Sequence, residues 1–186
     1  MKNRGPFWLL MSLLMLPAEA HEVTTNRATL VLREANHLSL TLRINLANLM
    51  RDVLVPKKAP NEFLEQFAAM PSGEFEAQYL RVQTHVQTQT RLVLSSGKSV
   101  SLGQWRWPDT KRLQAEIRDN AMQMAVSPHD HLPELDNEVY VEGTSKEELS
   151  EVTLQLARQL RPILVVNYRP HQVWMAPQTS EIRLRF

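Results

Sequence analysis

The sequence predicts a single α+β domain: strands from the two ends of the chain build an antiparallel β-sheet or β-sandwich, and a helical segment of about residues 60–125 packs on one side. Three observations predict it. His37 to Leu46 alternates apolar and polar residues without a break, the stripe Phe75, Tyr79, Val82, Val86 recurs at helical spacing, and apolar alternation returns at Val139 and Val141 and again from Val152 to Leu156.

Taken in order, Ala28 to Arg33 is a first strand and Glu34-Ala35-Asn36 a turn. Leu38, Leu40, Leu42, Ile44 and Leu46 then fall on one side of a second strand, with His37, Ser39, Thr41, Arg43 and Asn45 on the other. The two strands are expected to pair as a hairpin. Pro60-Asn61 opens a short helix carrying Phe63, Leu64, Phe67 and Ala68, which Pro71 closes. After Ser72-Gly73, the stripe from Phe75 to Val86 marks an amphipathic helix ending near Thr90. Arg91 to Leu94 and Val100 to Leu102 flank Ser95-Ser96-Gly97-Lys98, a second hairpin signal. Asp109 is placed to cap a third helix with Leu113, Ile117, Ala121 and Met124 on its inner face. Ser127 to Asn137 is a polar loop, and residues 144–148 suit either a loop or one helical turn. Strands at Ile163–Tyr168, Gln172–Met175 and Ile182–Phe186 complete the pattern.

The N-terminus is expected to direct export. Lys2 and Arg4 precede the apolar run Phe7 to Leu16, Pro17 ends it, and Ala18-Glu19-Ala20 has the small-x-small form that a signal peptidase accepts. The run falls far short of the ~20 residues of a membrane-spanning helix. Residues 1–20 therefore read as a cleaved signal peptide and residues 21–186 as one soluble periplasmic domain without a transmembrane segment. Loss of Lys2, Arg4 and Glu19 brings the 21 basic and 20 acidic residues to equal numbers. A neutral chain of this kind offers nothing to nucleic acid. The absence of cysteine excludes a disulfide framework and thiolate metal sites.

The tail Val165-Val166-Asn167-Tyr168-Arg169-Pro170 followed by Trp174, and the turn Trp105-Arg106-Trp107-Pro108 before a helix, carry a family resemblance. They are similar to uncharacterised bacterial periplasmic proteins that resemble the extracytoplasmic domains accompanying HupE/UreJ-type membrane proteins. That family is associated with nickel supply to hydrogenase and urease. The resemblance implies an envelope location and a metal context, and brings no catalytic residues with it.

Three arrangements carry chemistry. If cleavage follows Ala20, the imidazole of His21 and its free α-amine form a two-nitrogen chelate suited to copper or nickel. A second histidine, from among His37, His85, His129, His131 and His171, would extend it. His129-Asp130-His131 directs two imidazoles the same way in an extended loop, against the plain alternative of a solvated polar loop. Trp105 and Trp107 share a face of an extended arm, where they form either a partner surface or part of the core. Nucleophile-elbow, zinc-protease, P-loop and dinucleotide-binding motifs are all missing.

These features predict an exported accessory or binding module that works with a membrane or envelope partner. The alternative is a copper- or nickel-binding protein using His21. Periplasmic expression followed by intact-mass measurement is expected to return a chain beginning at His21; retention of residues 1–20 would contradict the export assignment.

Overall fold

The computed structural model describes residues 26–126 and 136–170. The predicted signal peptide, His21, His129, His131, His171, Trp174 and the two strands expected at 172–175 and 182–186 lie outside the described residues.

Strands β1 (Asn26–Glu34) and β2 (His37–Asn45) form the expected hairpin, with Leu32 opposite Leu38, Leu30 opposite Leu40 and Ala28 opposite Leu42. Strand β5 (Asp136–Thr144) pairs antiparallel on the other side of β2 and sets Val141 against Leu40 and Val139 against Leu42. A two-residue strand β4 (Ser101–Leu102) follows at one edge, and β7 (Ile163–Tyr168) forms the other, giving the order β4-β5-β2-β1-β7. The sheet is antiparallel apart from β7, which runs parallel to β1 with Ala28 beside Val165 and Leu30 beside Asn167.

Four helices cover one face of this sheet. Helix α1 (Leu46–Leu54) has no counterpart in the sequence reading, which carries the β2 pattern through Leu46. Asn45 decides the change: its side chain accepts a hydrogen bond from the Asn48 N–H at 2.9 Å and caps the helix. Leu46, Leu49 and Met50 then turn inward at helical spacing. Helix α2 (Pro60–Ala68) starts with proline at its first turn, where the missing N–H costs nothing. It stacks Phe63 on Phe67, whose ring meets Phe75 of α3 (Ser72–Gln89) edge-on at 6.4 Å between centroids. Helix α4 (Thr110–Val126) is capped by Asp109, whose carboxylate accepts from the Arg112 N–H at 3.0 Å, as its sequence predicts.

A second, two-stranded sheet pairs β3 (Arg91–Leu94) with β6 (Val152–Gln155). The expected hairpin at 91–102 is thus only begun. Gly97, with φ of +82°, closes the turn, and the Leu94 and Val100 N–H groups bond back to Lys98 and Leu92. The arms then part, β3 to β6 and β4 to β5, because each finds a longer antiparallel partner. Residues 145–149 form a loop rather than a helical turn, held by Ser145 N–H to Asn36 and Leu149 N–H to Ala35.

The core has two parts. Leu40, Leu42, Ile44, Val139 and Val141 lie under the helices with Phe63, Phe67, Phe75, Val82, Leu113 and Ile117. Leu38 instead meets Leu92, Leu94, Val100 and Leu149 of the small sheet and its loops. Gly143 lies beside this second cluster; a Cβ there would come within 3.0 Å of Leu38 and Val100 side chains, so the missing side chain permits the close approach. Leu42 is fully buried between both neighbours and the helices. A Leu42→Ala substitution is expected to lower unfolding free energy by about 2–5 kcal/mol in urea titration; a loss below half a kcal/mol would contradict its central placement.

Candidate functional site

The helical layer and the small sheet leave part of the core face uncovered. Leu30 and Leu32 of β1 and Ile163 and Val165 of β7 point to the covered side, by their register with Leu40, Leu38, Asn26 and Ala28. Across from them stand Val152, Leu154 and Leu156 at and after β6. Between the two sheets lies an open groove of about 1030 Å³, whose wall sets these aliphatic side chains beside Ser150, Thr153, Gln155 and Asn167. Arg161 lines it at the start of β7 and Arg169 past its end, with Glu148 also on the lining.

β7 itself is exposed on both faces. Val165 is 50% exposed on the groove side, Leu164 and Val166 are exposed on the outer side, and Tyr168, exposed at the end of the strand, also borders the groove. Four large apolar side chains in one short edge strand form a patch of the kind that binds another molecule.

The outer face of the sheet carries a polar cluster. The Tyr140 hydroxyl donates to Glu142 at 2.6 Å, and the His37 ring nitrogen lies 3.7 Å from the same carboxylate. The Arg106 guanidinium sits 4.1 Å over the Tyr140 ring, a cation–π contact, and the backbones of Arg106 and Tyr140 exchange both hydrogen bonds. The Tyr140 hydrogen bond, with His37, Arg106 and Arg33 nearby, holds the Glu142 carboxyl below its ordinary pKa. A shallow cavity of about 340 Å³ beside these groups is lined by His37, Ser101, Gly103, Gln104, Arg106, Tyr140, Glu142 and Thr144. Each charge in it already faces a partner, so the cluster joins β2, β5 and the Arg106 arm and presents no activated nucleophile.

Family models, curated proteins and solved structures give no match to this chain. The site residues therefore stand on geometry alone.

Trp105 and Trp107 do share a face. Their rings stack at 5.9 Å, both are half-buried, and both pack against the main core. Trp107 meets Tyr79 edge-on at 6.2 Å, and the Tyr79 hydroxyl donates to the Pro108 carbonyl at 3.3 Å. Burial pushes that phenol up to about 12. The indole N–H of Trp107 is buried and has no acceptor among the described residues.

Of the candidate histidines, His37 joins the Glu142 cluster and His85 of α3 pairs with Gln159 at 3.1 Å. Among the described residues no group of three His, Asp or Glu side chains is arranged to hold a metal ion.

The groove was not anticipated from the residue pattern, although one signal was available. Ile163-Leu164-Val165-Val166 is apolar at successive positions, which marks a strand apolar on both faces, yet in the structure neither face is fully covered.

Tyr140→Phe removes the leading cause of the Glu142 shift, and the carboxyl midpoint, followed by NMR, is expected to rise toward the ordinary glutamate value. A lowered folded-state pKa contributes stability that is present above the unfolded value and lost as pH falls through the folded one. The variant is therefore expected to lose this small contribution at neutral pH and to match the parent in strong acid. An unmoved midpoint would contradict the assignment.

Proposed function

We propose that this chain is an exported accessory module, processed after Ala20, that binds a membrane or envelope partner in the periplasm. The groove between β1–β7 and β6 is its binding surface. One observation carries this reading: an edge strand with Leu164, Val165, Val166 and Tyr168 exposed borders an open cavity walled in part by core-face aliphatic side chains. Burying such side chains against a partner contributes about 1.5–3 kcal/mol for each fully covered one, before the costs of association. The envelope setting is supported by the N-terminal pattern and by the resemblance to domains that accompany HupE/UreJ-type membrane proteins. No helix among the described residues is long and apolar enough to cross a membrane.

A second reading, copper or nickel capture by His21, draws support from one feature of connectivity. Asn26 donates from its side chain to the Leu160 carbonyl at 2.9 Å, and the neighbouring Gln159 holds His85. His85 is thus tied to the end of β1 at which a chain starting at His21 would begin. His37 lies at the far end of the hairpin, roughly 30 Å of strand away. Copper titration of the processed protein beside His21→Ala and His85→Ala tests this pair. Loss of binding in both variants supports the site, and equal binding in all three removes it.

The leading reading is tested by a photo-crosslinking residue in place of Val165 in the exported chain, with the same residue in place of the exposed Met122 of α4 as control. A discrete adduct with an envelope protein is expected from position 165 and not from position 122. Identical patterns from both would contradict the groove as the binding surface.

A further inference from the structure

The two edges of the main sheet are built differently. At one, β4 has only two residues, and the isolated bridge between Arg106 and Tyr140 continues the protection of β5 beyond it. A very short strand with a charged residue beside it is a usual means of blunting an edge. At the other, β7 runs for six residues, Ile163-Leu164-Val165-Val166-Asn167-Tyr168, with no charge and no proline. Its register with β1 is continuous from Asn26–Ile163 to Val31–Tyr168, so no bulge turns the edge away. Among the described residues no strand pairs with β7 on the side away from β1. This edge therefore presents backbone donors and acceptors in an order that only another extended chain matches.

The side chains around that edge specify the chain further. A strand laid beside β7 places alternate residues on opposite faces of the sheet. One set projects toward the groove, alongside Val165 and across from Leu154; the other set lies beside Leu164 and Val166 on the outer face. Both sets meet apolar neighbours. The ends of the strand meet positive charge, Arg161 before Ile163 and Arg169 after Tyr168. Arg161 reaches only the Leu156 carbonyl, at 3.5 Å, and neither arginine forms an ion pair with a carboxylate among the described residues. Glu148 stands on the groove lining and leaves the two arginines in excess.

We propose that β7 is a docking strand, to which a partner protein adds an extended segment that is apolar over its centre and acidic at its ends. This rests on the groove being the binding surface and names what enters it. Backbone hydrogen bonds along the β7 edge hold the segment, the groove and the Leu164–Tyr168 row take its side chains, and Arg161 and Arg169 fix its length and position by pairing with the terminal carboxylates. A second copy of the chain fits less well, because it would bring the same arginines and no added carboxylates to the ends of the joined strands.

The experiment uses the full processed chain and a labelled synthetic peptide, Asp-Asp-Val-Leu-Val-Leu-Val-Asp-Asp, followed by fluorescence anisotropy. Three comparisons are made: the same peptide with lysine at both ends, the same peptide N-methylated at all five central residues, and the variants Val165→Lys and Arg161→Ala/Arg169→Ala. Saturable binding is expected, at least tenfold weaker for the lysine peptide and lost on N-methylation. Val165→Lys is expected to weaken it at least tenfold with an unchanged circular dichroism spectrum, and the double arginine variant is expected to bind both peptides alike. Binding that survives N-methylation or Val165→Lys would overturn strand addition. So would a Val165-dependent dimer in sedimentation, or a crosslink from position 165 to the chain's own residues 171–186, since each names a different occupant. An envelope adduct from position 165 with no peptide binding would overturn strand addition while leaving the groove as the binding surface; absence of both would remove the two together.

Discussion

The structure depends on the apolar row of β2. Leu38, Leu40, Leu42 and Ile44 are at most 1% exposed, and β2 lies between β1, which pairs with it from His37 to Arg43, and β5, which pairs with it from His37 to Asn45. Two layers cover this row. The helices cover Leu40 to Ile44, the small sheet covers Leu38, and together they cover the β1–β7 side only in part. The groove is the consequence: Leu30, Leu32 and Ile163 are only partly buried against these clusters, and Val165 is left half exposed.

A polar clamp at the other end of the hairpin fixes where β7 enters. The Asn26 side chain accepts from the Asn45 N–H at 3.3 Å and donates to the Leu160 carbonyl, while the Asn45 side chain caps α1. One pair of asparagines thus ties together the start of β1, the end of β2, the first helix and the turn that leads into β7. Emerging from that turn beside Asn26, the chain can only run along β1 in the same direction, which accounts for the one parallel pairing in an otherwise antiparallel sheet. Asn26 acts because its amide both donates and accepts, so it satisfies two backbone groups, while the Asn45 side chain satisfies a third.

Local pattern made much of this fold legible. Alternation in β1 and β2, proline at the start of α2, the inward stripe of α3 and the Asp109 cap of α4 each express short-range physics, and each element stands where that physics puts it. Helix α1 was hidden because Leu46 satisfies the strand period and the helix period at once, and only the capping bond of Asn45 separates them. The parting of the arms after Gly97 and the parallel entry of β7 are settled by partners distant in sequence, which no local pattern reports. The same holds for the site. Trp105 and Trp107 were legible as a pair sharing a face, and the fold seats them against the core with Tyr79. The groove arises from what two layers fail to cover, a property of the assembled structure rather than of any segment.

A protein that keeps an uncharged edge strand uncovered beside a groove retains a feature that folded proteins ordinarily suppress, and the proposed binding by that edge would give it a use. Amide hydrogen exchange on the processed chain, with and without solubilised envelope protein, tests this most directly. In the isolated chain, β2 amides are expected to be strongly protected and the outward-facing amides of β7 to exchange rapidly, then to slow by at least tenfold when the partner is added. Full protection of β7 in the isolated chain, or slowing confined to another surface such as the Trp105–Trp107 arm, would contradict the account.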